Sequence, residues 1–142
     1  MLVKVLVVDD YAPFREFVSS ALRNKRNLQT VAEASDGLEA IRKAEKFRPE
    51  LILLDIGMPE LSGMEVAPRI RSLLPNSKIL FVSQESSPDI VQEAFASGAS
   101  GYVVKADAAQ DLLAAVEAVL QGKHFVGARF AGLDLILSHT SI

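Results

Sequence analysis

The chain has 142 residues, 49% of them hydrophobic, a formal net charge of −3 and no cysteine. That length suits one domain around one core. The missing cysteines exclude a disulfide framework and a thiolate metal site, and the acidic balance argues against a dedicated nucleic-acid surface.

The opening MLVKVLVV is apolar but runs into Asp9-Asp10 without a small-residue cleavage site, so it reads as a strand over Leu2 to Val8 and not as a signal peptide. No apolar run approaches the ~20 residues that a membrane helix needs, and a cytoplasmic protein is the natural reading. After the turn Asp9-Asp10-Tyr11, Pro13 suits the first turn of a helix, with Phe14, Phe17, Val18, Ala21 and Leu22 as its predicted buried face. Leu28 to Ala34 reads as a second strand, and Ser35-Asp36-Gly37 turns into a helix carrying Leu38, Ile41, Ala44 and Phe47 inward. Leu51 to Leu54 is apolar without alternation, as expected of a strand covered on both faces. It stops at Asp55. A Gly/Pro-rich loop follows, then Ser62 and Glu65 in capping-box spacing open a helix from Gly63 to Leu74, which should kink or break at Pro68. Lys78 to Val82 is the fourth strand, Ser87-Pro88 to Gly98 the next helix, Gly101 to Lys105 the fifth strand, and about Asp107 to Gln121 the last helix. Its inward residues are Leu112, Leu113, Val116, Val119 and Leu120.

Five strands alternating with five helices imply an α/β fold, a doubly wound parallel sheet with helices on both faces. Right-handed crossovers put the ends of all five strands on one rim, where ligands of such sheets gather. That rim collects Asp9, Asp10, Asp55, Ser83 and Lys105. Two carboxylates ~5 Å apart repel by roughly 3 kcal/mol at an effective dielectric of 20, so the site calls for a cation, a raised pKa or both. Lys105 supplies one positive charge, and Mg²⁺ suits one or two carboxylates that leave positions open for phosphate oxygens and water. With both in place, Asp55 can act as a nucleophile toward a phosphoryl group, and the Ser83 hydroxyl can donate to a phosphoryl oxygen.

This ordered set, with Asp55 in LLDIGMPELSG, Ser83 after KILFV and Lys105 after Tyr102, resembles the receiver domain of two-component response regulators from Leu2 to about Gly122. The wording of DIGMPELSG and SQESS is most similar to the NarL and FixJ group, whose members usually carry a LuxR-type helix-turn-helix. The resemblance implies a flavodoxin-like five-stranded sheet of order 2-1-3-4-5, with residues 1–122 as the receiver and 123–142 as a tail. It implies Asp55 as phospho-acceptor and Asp10, Asp55 and the Gly57 backbone carbonyl as Mg²⁺ ligands, with Asp9 holding the ion through water. Lys105 would bind the phosphoryl group, Ser83 would be the switch hydroxyl and Tyr102 the switch aromatic. The donor would be a sensor histidine kinase or a phosphotransfer protein. The chain would be no enzyme beyond promoting its own phosphorylation and dephosphorylation. Gln84 departs from the small residue common after the switch hydroxyl and would narrow access to Asp55.

Two rival readings share parts of this pattern. A haloacid-dehalogenase-like hydrolase would carry its nucleophile on the first strand with a second aspartate two positions on, whereas Asp9 and Asp10 are adjacent. A flavin-binding module would have a hydroxyl- and glycine-rich first loop, not Asp-Asp-Tyr-Ala-Pro. As output, phosphorylation would draw Ser83 inward and let the Tyr102 ring follow, reshaping the 88–121 face for a homodimer or a partner in transcription regulation. Direct nucleic-acid binding by this chain is not expected. In the tail, Phe130, Leu133, Ile136 and Leu137 recur at helical spacing and should pack, while His124 and His139 lack metal-ligand spacing.

Overall fold

Strands form where apolar residues run consecutively, and the computed structural model, which describes residues 2–132, gives six of them. They are β1 (Val3–Val8), β2 (Leu28–Ala34), β3 (Leu51–Leu54), β4 (Lys78–Ser83), β5 (Gly101–Val104) and β6 (Phe125–Val126). Between them run α1 (Ala12–Arg23), α2 (Gly37–Phe47), α3 (Gly63–Leu73), α4 (Pro88–Ala96) and α5 (Ala108–Leu120). The sheet is parallel throughout, in the order β2-β1-β3-β4-β5-β6. The flavodoxin-like α/β fold is therefore present, with one correction: the sheet has six strands and not five. Gly122, at φ 85°, ends α5 in a conformation that favours glycine, and the Phe125 N–H then donates to the Ser100 carbonyl at 3.1 Å. Two residues are too few for any periodic signal, which is why β6 is invisible in the sequence.

Both faces of the sheet are covered. Leu6, Val8, Ile52, Leu54, Ile79, Phe81 and Tyr102 join one core with residues of α2, α3 and α4. Val5, Val7, Leu51, Leu53, Leu80, Val82 and Val103 join the other with residues of α1 and α5. The period-2 alternation is real but hidden, because both directions are apolar. Fully burying each such side chain is worth about 1.5–3 kcal/mol. Two residues assigned to buried helical faces lie outside: Phe17 is 39% exposed and Leu38 51%. On α1 the stripe runs through Phe14, Val18 and Leu22, and Phe17 flanks it with its ring 5.4 Å from that of Phe14. On α2 the buried positions are small, Gly37, Ala40 and Ala44, so the helix lies close to its neighbours and Leu38 is left at the margin.

The helix starts follow local chemistry. Asp36 caps α2 by accepting from the Glu39 N–H at 2.8 Å, and Glu39 accepts from the Ser35 N–H at 2.8 Å. Glu65 likewise accepts from the Ser62 N–H at 3.0 Å. Helix α3 continues past Pro68, which lies inside it. Pro68 lies on the exposed side of the helix, where water can satisfy the carbonyl that its missing N–H leaves free. No helix among the described residues is long and apolar enough to cross a membrane.

Candidate functional site

Sheet register sets the site. Val8 pairs with Leu54, Leu54 with Phe81, and Phe81 with Tyr102, so one row crosses four strands. The residue after Val8 is Asp9 and the residue after Leu54 is Asp55. Their backbone N–H groups donate to Ala34 and Val8 carbonyls, both at 3.0 Å, which extends the ladder to the last position before the loops. Gly63 packs against the backbone of Asp55 and Ile56, where a Cβ would overlap the Asp55 carbonyl. That contact fixes the loop that leaves β3.

Asp9, Asp10 and Asp55 each offer a carboxylate oxygen, and the three lie within 4.8 Å of one another. Asp9 and Asp55 are buried, 3% and 5% exposed, whereas Asp10 is open to solvent. The Lys105 ammonium reaches Asp9 Oδ2 at 2.7 Å and Asp55 Oδ2 at 3.4 Å. Asp9 Oδ1 also accepts from the Tyr11 N–H at 2.8 Å, so both its oxygens have protein partners. Burial, and next the charge of Asp9, raise the Asp55 pKa; the Lys105 charge and a hydrogen bond from the Gly57 backbone oppose them. A carboxyl held above its ordinary range by burial and a neighbouring anion favours an added cation. The donor set suits a hard divalent ion: Asp10 and Asp55 both line the cleft, and a Cβ at Gly57 would meet no atom within 4 Å, which leaves its backbone open to approach.

The cleft above these residues has a volume of about 680 Å³ and is lined by Asp10, Phe14, Asp55, Ser83, Gln84 and Lys105, among others. Ser83 is buried, and its Oγ accepts from the Glu85 N–H at 3.2 Å. Tyr102 does not stand outside waiting to move. It is 0% exposed, its hydroxyl donates to the Glu85 carbonyl at 2.8 Å, and Ser83 hydrogen-bonds the phenol. Its ring lies inward, packed beside Phe81 and Phe130. Burial is the main cause that pushes its pKa up to about 12.

Three features escape the sequence reading. Lys105 sits over the Phe14 ring, 4.6 Å from its centroid, although Phe14 carried only a core signal. The Glu85 backbone serves both Ser83 and Tyr102, and backbone roles leave no residue signature. The third is the strand-and-turn form of the strap 123–130; its Phe130, expected to pack, is buried and meets Tyr102 edge-on at 6.2 Å. His124 is partly buried against Phe95, with ring centroids 5.9 Å apart. Leu133, Ile136, Leu137 and His139 lie outside the described residues.

The chain matches the response regulator receiver domain family over residues 5–117. It is 33% identical over 124 residues to the transcriptional regulatory protein DegU of Brevibacillus brevis, covering 87% of this chain and 52% of DegU. It is 34% identical over 123 residues to the response regulator VraR of Staphylococcus aureus, covering 87% of this chain and 59% of VraR. The chain therefore spans little more than half the length of these relatives. Among solved structures, a two-component response regulator of the LuxR family from Aurantimonas superposes with a TM-score of 0.87 at 29% identity, over 92% of this chain and 94% of that one. The signal receiver domain of a NarL response regulator from Mycobacterium tuberculosis gives 0.80 at 35% identity, over 86% and 98%.

Proposed function

Because the chain belongs to the response regulator receiver domains, a regulatory family of two-component systems, we propose that it accepts a phosphoryl group on Asp55 from a sensor histidine kinase or phosphotransfer protein. One observation carries the residue assignment: among the three clustered carboxylates, Asp55 is the one that is both buried and lines the open cleft. Asp9 is taken up by Lys105 and the Tyr11 N–H, and Asp10 is solvated. An Asp55 oxygen attacks phosphorus; the new oxygen–phosphorus bond forms as the bond to the donor breaks, and the leaving pair stays with the donor. Lys105 is close enough to Asp55 to shift onto the arriving phosphoryl oxygens, and the Ser83 hydroxyl borders the same space. Asp10, Asp55 and the Gly57 carbonyl would hold Mg²⁺, with Asp9 acting through water. When bound, Mg²⁺ would supply charge neutralisation at the phosphoryl oxygens. Gln84 is exposed on the cleft wall and narrows the approach.

The receiver unit is read as residues 1–122 with the strap added to its edge. Its output is read as pairing of two copies, or docking of a partner, through the 88–121 face, with no nucleic-acid contact by this chain. The family assignment supports neither the hydrolase nor the flavin reading. Incubation with acetyl phosphate and Mg²⁺, followed by intact mass, tests the acceptor. One phosphoryl adduct is expected on the unaltered protein and none on Asp55→Asn. An Asn variant that gains the adduct at the same rate would refute the assignment.

A further inference from the structure

The strap leaves α5 at Gly122, runs beside β5 and ends in a single 3-10 turn, Ala128–Phe130. It is held tightly. A Cβ on Gly127 would come within 2.8 Å of Asp111 Oδ2, so the backbone presses against α5. Arg129 makes two hydrogen bonds to Asp107, Nε to Oδ2 at 2.7 Å and a terminal nitrogen to Oδ1 at 2.9 Å. Phe130 is 4% exposed and seated in the core that also holds Val91, Phe95, Tyr102 and Val104.

Two of these contacts lead to the Asp55 cleft. Asp107 closes the 3-10 turn Lys105–Asp107, so the fork of Arg129 anchors the far end of the turn whose first residue carries the ammonium. Phe130 lies edge-on against the Tyr102 ring, and the Tyr102 hydroxyl is tied to the Glu85 carbonyl while Glu85 donates to Ser83. A ring backed by Phe130 cannot swing outward without displacing it, and the 83–85 segment is held at the position that this ring dictates. We propose that Arg129 and Phe130 are positioning residues for phosphoryl transfer, Arg129 acting on Lys105 through Asp107 and Phe130 acting on Ser83 through Tyr102. The inference rests on Asp55 being the acceptor. If Phe130 merely fills space, removing it loosens the strap and leaves the cleft alone. If it positions the cleft, strap docking and occupation of the site by a phosphoryl mimic must favour one another, because coupling free energies are reciprocal.

The test uses the full chain carrying Tyr11→Phe, which leaves Tyr102 as the only tyrosine in a protein without tryptophan. Acrylamide quenching of its fluorescence then reports whether the ring is covered. Beryllofluoride affinity with Mg²⁺, and the rate of adduct formation from acetyl phosphate, report the cleft. In this background Phe130→Ala should raise quenching and lower both affinity and rate by about fivefold or more. Arg129→Asp should lower affinity and rate in the same sense, and the swapped pair Asp107→Arg with Arg129→Asp should restore them. Phe130→Leu, which keeps apolar volume, replaces Phe130→Ala if that variant does not fold, with the same expected direction. Quenching that rises while affinity and rate stay put overturns the inference, as does no change in any readout. A parent protein that takes up no phosphoryl group refutes the acceptor reading and this inference with it, whereas an active parent with unresponsive variants refutes this inference alone.

Discussion

Lys105 is the residue on which most of the rim depends. Its ammonium is closer to Asp9 than to Asp55, 2.7 Å against 3.4 Å, and it lies over the Phe14 ring. Three groups therefore fix a long side chain that would otherwise sample many rotamers. A cation over an aromatic face gains about 0.5–1 kcal/mol at a partly exposed site. Phe14→Leu keeps an apolar side chain but loses that face, and the adduct rate with acetyl phosphate should fall about two- to fivefold, the rate equivalent of that energy. Phe14→Trp should retain the rate. A Leu variant as fast as the parent would show that Lys105 needs no ring. Asp9, Asp10, Asp55 and Lys105 were legible because four charges at strand ends have no bland explanation together. Phe14 was not, since one side chain here both packs on the core and serves the cleft.

At the scale of elements, helix α2 carries a titratable start. Glu39 is held down at about 2, first by its hydrogen bond with Lys43 and then by the Ser35 N–H. A depressed carboxylate contributes stability that is fully present above its ordinary value of 4.5 and is lost as pH falls toward 2. Both side chains are half-buried at the helix surface and still reached by solvent, so screening keeps the contribution small, about 0.5 kcal/mol. Melting temperatures of the parent and Glu39→Gln should therefore differ most near pH 6 and converge by about pH 2. A gap that persists at the acid end would remove Glu39 ionisation as its cause. The capping box of Ser62 and Glu65 was readable because it depends on neighbours three positions apart. Leu51–Leu54 was readable because an unbroken apolar run between polar turns leaves few other options. Phe17 and Leu38 were misread inward because periodicity gives the centre of a buried stripe but not its width. That α3 continues past Pro68 was not readable, because the proline's cost depends on whether the orphaned carbonyl faces water, which spacing alone does not tell.

For the whole molecule, β6 matters more than its two residues suggest. It covers the edge of β5, and an uncovered strand edge is a template for pairing with another chain. A protein ending at Gly122 should melt at a lower temperature than the full chain and gain mass in sedimentation as its concentration rises. Addition of beryllofluoride should shift the full chain alone toward a dimer through its 88–121 face. A truncated protein as stable and as monomeric as the full chain would mean that β5 needs no cover. The sheet also acts as a wall one residue thick between two cores, with Tyr102 and Phe130 on one side and Val103 and Leu112 on the other. Substitutions on opposite sides share no side-chain partners, and their effects should add to within about 0.3–0.5 kcal/mol. Such a partition has an evolutionary meaning. Descendants of one ancestor can revise the packing of one core without disturbing the other, provided that Phe14, Tyr102 and Phe130, which reach toward the rim, are kept.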